Sequence, residues 1–264
     1  ILVEPKFDIA INISSYSREQ IRNKLTKLNI KCKNTICSPY GITVYKRIPK
    51  NKIKKIKKNF FEVQDEGSQV MTSLINIIRG KKVLDFCAGK GTKTIFIKNI
   101  FLEKEDIFAY DVSEDRLLEL RKRIIELEIK NIKVLSNISC LNSQFDIVLC
   151  DVPCTGTGTW RRRPENIIRL KKEELNDLIK TQSSILNTAS SYCKKGGELV
   201  YITCSLVYDE NEGQIKNFLK NNKGFKLIDI KKRWQNIFSS KINIENSSWF
   251  TLTPDVLETD GFFI

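Results

Sequence analysis

Val83-Leu84-Asp85-Phe86-Cys87-Ala88-Gly89-Lys90-Gly91-Thr92-Lys93-Thr94 reads as a short buried strand, a glycine turn and the start of a helix. An apolar run ending in an acid and then in two glycines fits a parallel strand that hands over directly to a crossover helix. The same alternation continues downstream. Residues 83–86, 107–110, 132–135, 145–150 and 198–202 are β-like runs, and helical stretches over 92–102, 116–127 and 173–192 lie between them. In the second of these helices Leu117, Leu120, Ile124 and Leu127 share one face. The pattern predicts an α/β fold, a mainly parallel sheet covered by helices on both faces. Ligands of such sheets bind beyond the carboxyl ends of the strands, where Asp85, Asp111, Asp151, Cys154 and Cys204 all fall.

The glycine turn has three readings. A Walker loop requires Gly-x-x-x-x-Gly-Lys-Ser/Thr, and here Gly91 follows Lys90 instead of preceding a lysine. A dinucleotide fingerprint requires a third glycine where Thr94 stands. What remains is the glycine-rich turn of a Rossmann-like S-adenosylmethionine fold, in which small residues let the backbone approach the cofactor. About 20 residues on, Asp111 ends the second strand, where its carboxylate can accept both ribose hydroxyls.

The 264-residue chain carries a formal charge of +14 and no histidine. Such an excess favours a polyanionic partner, because Lys and Arg on phosphates release condensed counterions. Lys46, Arg47, Lys50, Lys52, Lys54, Lys55, Lys57 and Lys58 form a stretch without an acid, and Arg161-Arg162-Arg163 forms another; both are candidate RNA contacts. Eight cysteines without a signal peptide indicate reduced thiols and a cytoplasmic setting. With no Cys-x-x-Cys and no histidine, no metal is expected. No apolar run approaches the ~20 residues of a membrane helix. Met71 is the only methionine, so a further segment upstream of residue 1 is expected. Residues 1–60 differ in character and predict a small α+β region, with a strand over 7–13 and a helix over 17–28 capped by Ser17. Residues 61–264 form the catalytic domain of this reading.

Two cysteines stand apart: Cys154 in Asp151-Val152-Pro153-Cys154 and Cys204 in Thr203-Cys204-Ser205, each just after an apolar run. C5 of cytosine is a poor nucleophile until a thiolate adds to C6, which makes an enamine able to attack a sulfonium methyl group. A carboxylic acid near N3 would stabilise the electron-rich ring, and Asp151 lies in the same motif. Cys87, Cys140, Cys150 and Cys193 read as small core residues.

The combination resembles the RsmB/NSUN family of RNA cytosine-5 methyltransferases, over nearly the whole chain. The residues that carry it are Phe61-Glu62-Val63-Gln64-Asp65-Glu66-Gly67-Ser68-Gln69, the loop from Cys87 to Lys93, Asp151 to Gly158, Thr203-Cys204-Ser205 and Asp260-Gly261-Phe262-Phe263. The resemblance implies Cys204 as the nucleophile at C6 and Cys154 as the cysteine that assists product release. It implies Asp151 on the cofactor or the base edge, and Lys93 positioning groups in the pocket. S-adenosylmethionine would be held by Cys87, Ala88, Gly89, Lys90, Gly91, Thr92 and Lys93, with Asp111 on the ribose. The family's small RNA-contacting region would correspond to residues 1–60. Ribosomal RNA is the expected substrate ahead of transfer RNA, and a monomer is the expected state.

Two positions depart from the family pattern. Gly89-Lys90-Gly91-Thr92 replaces a Pro-Gly-Gly core, and Asn137 stands nearest to where an acid follows the third strand. Asn137 could accept from the adenine amine without a charge, giving a weaker cofactor site. Three groups could remove the C5 proton: Asp151, Cys154 through a water, or bulk solvent. Two competing readings are a catalytically silent RNA-binding or ribosome-assembly protein that retains the fold, and a DNA cytosine methyltransferase, against which the Thr-Cys-Ser motif tells.

Overall fold

The computed structural model describes residues 4–48, 60–75, 77, 80–101, 106–139, 141, 144–238 and 248–264. Lys50, Lys52, Lys54, Lys55, Lys57, Lys58 and Cys140 lie outside them.

The first strands, β1 (Phe7–Ile11), β2 (Cys32–Asn34), β3 (Gly41–Val44) and β4 (Phe61–Val63), form an antiparallel sheet in the order β2-β3-β1-β4. The helix Arg18–Lys27 packs on it through Ile21 and Leu25. Ser17 caps that helix: its side chain accepts from Gln20 N, and Gln20 Oε1 accepts from Ser17 N, a reciprocal pair that satisfies two otherwise orphaned donors. The small sheet runs past the boundary at residue 60, because Phe61–Val63 pairs with β1 through Ile9↔Val63 and Ile11↔Phe61.

Next come β5 (Val83–Asp85), β6 (Ile107–Tyr110), β7 (Ile132–Leu135), β8 (Phe145–Asp151) and β9 (Cys193–Ile202), a parallel sheet in the order β7-β6-β5-β8-β9. Successive side chains alternate between two cores. Val83, Ile147, Leu149, Val200 and Ile202 pack on one side with Met71 and Trp234. Leu84, Val148, Cys150 and Tyr201 pack on the other with Leu186 and Phe218. Each buried aliphatic side chain stabilises the sheet by about 1.5–3 kcal/mol, which explains why these strands read as continuous apolar runs. Successive strands are added in one direction from β5 and in the opposite direction from β8, so the crevice between their ends is the topological switch point.

Finally β10 (Thr251–Leu252) pairs with β11 (Phe262–Phe263), and Phe263 exchanges two backbone hydrogen bonds with Thr203. That bridge brings the C-terminal strand against the loop that carries Cys204. No helix among the described residues is long and apolar enough to cross a membrane.

Candidate active site

Beyond the ends of β5, β6 and β8 lies a cavity of about 860 Å³. Its wall includes the turn from Phe86 to Lys90, with Thr92, Lys93, Asp111, Asp151 and Cys154. Gly91 adopts φ +80, and a Cβ there would come within 2.1 Å of Leu120 Cδ1, so only glycine lets this turn pack against the helix Glu114–Glu126. Gly89 has φ +54 and nothing within 4 Å of a Cβ position, leaving its backbone open. Asp111 fixes the turn from the neighbouring strand: its Oδ2 accepts from Gly89 N at 2.8 Å and its Oδ1 from Ser113 N at 2.9 Å. Val112 beside it is 91% exposed and offers an apolar platform on the cavity wall.

At the floor, Asp85 Oδ2 accepts from Thr94 Oγ1 at 2.6 Å while Oδ1 is buried without a hydrogen-bond partner. Burial, partly offset by the Thr94 hydrogen bond, pushes this carboxyl up to about 7. Lys93 Nζ lies 2.6 Å from Asp151 Oδ2. Burial works against the ammonium, yet Asp151 keeps Lys93 above its ordinary value.

The two motif cysteines meet. Cys154 Sγ and Cys204 Sγ are 3.3 Å apart. The hydrogen bond from Cys154 holds the Cys204 thiol below its ordinary value against the opposing effects of burial and Asp151, with help from Lys93. The same contact, together with burial, pushes Cys154 well up. The contact thus lowers the Cys204 thiol and raises the Cys154 thiol, which makes Cys204 the more readily ionised of the two.

Their spacing is set by groups that sequence reading missed. Glu210, fully buried, accepts from Thr155 N and Gln182 Nε2 at 2.9 Å each, and from the hydroxyls of Thr155 and Ser205. Gln182 also donates to Pro153 O at 2.9 Å. Asn211 completes the brace, accepting from Thr203 Oγ1 and donating to Ser205 O. Gly158 N donates to Cys204 O, and Gly261 N donates to Gly158 O at 2.7 Å. A Cβ on Gly158 would fall 2.3 Å from Gly261 O. An acid six residues after Cys204 is the one signal that could have flagged Glu210.

Several expected site residues stand elsewhere. Asn137 is absent from the cavity wall, and its Oδ1 accepts from both the N and the hydroxyl of Ser139, so its acceptor is used locally. Arg161, expected on phosphate, has a buried guanidinium that pairs with Asp260 at 2.7 Å and Asp65 at 3.4 Å. Arg162 holds the same two acids, so both arginines are tied to carboxylates that precede the strand Phe262–Phe263 and cap the helix Glu66–Ser73. Arg163 is exposed with neither of those ties. It borders a groove of about 640 Å³ that Arg161 and Arg162 also line, together with Lys33 and Thr43 of the small sheet and Tyr45 and Arg47 just after it. Tyr45 is 61% exposed there. Lys54, Lys55 and Lys57 fall outside the described residues. Lys90 is exposed at the cavity rim, and its carbonyl accepts from Arg123. No group of three or more metal-ligating side chains occurs among the described residues.

A family model for the 16S rRNA methyltransferase RsmB/F matches residues 72–264. The chain belongs to this family. Its members depend on S-adenosylmethionine. Ribosomal RNA small subunit methyltransferase B of Photorhabdus laumondii is 33% identical over 229 residues, covering 85% of this chain and 53% of that protein. The protein of the same name from Escherichia coli is 29% identical over 264 residues, covering 98% and 58%. The chain thus spans about half the length of the curated relatives it matches. Among solved structures, NSun6 from Pyrococcus horikoshii with SFG shares the fold at a TM-score of 0.83 and 21% identity, covering 98% of this chain and 90% of that one. The Rossmann-like methyltransferase sheet inferred from the glycine turn and the strand alternation is thereby shown.

Proposed function

We propose that this chain is an S-adenosylmethionine-dependent RNA methyltransferase that modifies C5 of cytosine in ribosomal RNA. The observation that carries the reading is the pair Cys154–Cys204, a low thiol and a high thiol 3.3 Å apart at adjacent strand ends beside Asp151. The residues present fit the cofactor. Asp85 Oδ1 is an unpartnered buried acceptor suited to a cationic methionyl group, and Gly89 leaves open backbone. Asp111 supplies acceptors for ribose, and the volume suits a nucleoside. When bound, the cofactor supplies an electrophilic methyl group.

The chain's own residues do the rest. Cys204 adds to C6, which raises electron density at C5. Lys93 neutralises Asp151, so that carboxylate neither raises the Cys204 thiol unopposed nor repels the ring as charge develops. Cys154 holds the proton that Cys204 gives up and is within reach to assist its expulsion. The groove lined by Arg163, Lys33, Arg47 and Tyr45 suits phosphates and a stacked base flanking an extruded cytosine. The family's ribosomal substrate agrees with the net charge of +14 and with a cytoplasmic place of action.

The test is a denaturing gel of the Cys154→Ala variant incubated with unmodified ribosomal RNA and S-adenosylmethionine. An RNA-dependent shifted band that vanishes when Cys204 is also replaced supports the reading. RNA and cofactor binding without an adduct sinks it and favours the silent scaffold.

A further inference from the structure

Among the described cysteines, seven are unbridged, and only one pair has its sulfurs in direct hydrogen-bonding contact in the active site. We propose that Cys154 and Cys204 form an oxidant-sensing modification site, in which a hydroperoxide converts the catalytic pair to an intramolecular disulfide. A disulfide requires ~2.05 Å between sulfurs, so the observed 3.3 Å must shorten by only about 1.2 Å. Gly156, two residues after Cys154, lies in the left-handed region, and a Cβ built there would sit 3.9 Å from Cys204 Sγ, so the Cys154 loop passes close beside the second sulfur with no side chain at this position.

The chemistry proceeds in two balanced steps. Cys204 thiolate attacks one peroxide oxygen: an S–O bond forms, the O–O bond breaks, and the peroxide is reduced to an alcohol or water. The sulfenic sulfur of Cys204 is then attacked by Cys154. An S–S bond forms, the S–O bond breaks, and hydroxide leaves with the Cys154 proton as water. One peroxide is consumed and two thiols are oxidised.

Selectivity comes from the surroundings. Burial pushes Cys87, Cys150 and Cys193 up, and it is the largest influence on each. Reaction with peroxide requires the thiolate, which only Cys204 of this group favours. Cys154, the resolving thiol, is already its hydrogen-bond partner. Capture as a disulfide silences the nucleophile reversibly and spares it from irreversible sulfinic acid. The inference stands on the sulfur geometry and does not require the RNA reading.

The experiment treats the purified protein, without RNA or cofactor, with stoichiometric hydrogen peroxide, blocks remaining thiols by alkylation and maps peptides by mass. Expected is a dithiothreitol-sensitive peptide joining Cys154 to Cys204, with loss of two alkylatable thiols. Under the same treatment Cys154→Ala and the near-isosteric Cys154→Ser accumulate Cys204 sulfenic acid, trapped with dimedone, and then sulfinic acid. Wild-type Cys204 reaching sulfinic acid as fast as in those variants, or joining a different cysteine, overturns the proposal. Because the readout is chemical, failure of RNA methylation leaves it standing, and its own failure leaves the methyltransferase reading untouched.

Discussion

Arg161 Nε donates to Asp260 Oδ1 at 2.7 Å from a guanidinium only 8% exposed. A residue that looks from its sequence neighbourhood like a phosphate contact is thus an internal tie between the Pro-Cys loop and the C-terminal strand. Arg162 holds the same two acids, so Arg161→Ala leaves them paired and costs less than the about 3–5 kcal/mol of a fully stranded buried charge. Arg161→Ala is expected to lower the chemical-denaturation midpoint measurably. Arg163→Ala is expected to leave that midpoint unchanged and to weaken RNA binding, with a shallower salt dependence. Paired urea titrations and filter-binding series check both.

Glu210 is the common acceptor for both cysteine loops. Glu210→Ala leaves the Thr155 amide, two hydroxyls and the Gln182 amide short of a partner, and each buried unsatisfied group costs about 1–3 kcal/mol. Because the brace touches the loops and not the substrate, kcat is expected to fall at least tenfold while KM for RNA changes little. Partial unfolding would also lower kcat at constant KM, so the fall must persist after normalising to the folded fraction read by near-ultraviolet circular dichroism.

Lys93 opposes the upward push of Asp151 on Cys204. In Lys93→Met the Cys204 thiol is expected to rise, and its alkylation by iodoacetamide at neutral pH to slow about tenfold, the rate change of one pKa unit. The pH profile of alkylation, followed at the Cys204 peptide, reads this directly. Asp151→Asn is expected to move the profile the other way.

Stability should depend on pH with a definite sign. Asp85 is pushed up to about 7 and Asp65 to about 6, both chiefly by burial. Raised carboxyls contribute stability that is complete below their unfolded values, near 3.8, and lost as pH rises through 6 and 7. The cofactor-free protein is therefore expected to lose stability between about pH 4 and about pH 7. Asp85→Asn should flatten the upper part of that slope and keep the part due to Asp65. Urea midpoints across the range decide.

Much of the fold was legible because strands buried on both faces read as unbroken apolar runs, as Ile147 to Cys150 does, and because Gly91 and Ser17 mark turns and caps by their stereochemistry. The antiparallel strands Cys32–Asn34 and Gly41–Val44 were not, being short and set in loops whose order comes from pairing with β1. Phe61–Val63 is as short and is likewise ordered by pairing with β1. Within the site, the cysteines and Asp111 were visible from motif and position. Glu210, Gln182 and Asn211 were not, because their roles depend on hydrogen bonds spanning up to 55 residues. Asn137 and Arg161 were legible, but not the local partners that polar side chains near a site take up, as the Ser139 and Asp260 contacts show.

The contact between Gly158 and Gly261 carries a consequence for biogenesis. Synthesis proceeds from the N terminus, so both cysteines leave the ribosome well before the strand that buttresses their loops. Until Gly261 arrives, nothing accepts its place beside Gly158, and Thr203 lacks its partner Phe263. A nascent chain would hold the parallel sheet and its glycine turn yet remain chemically inert, with competence acquired only when the last strand seats.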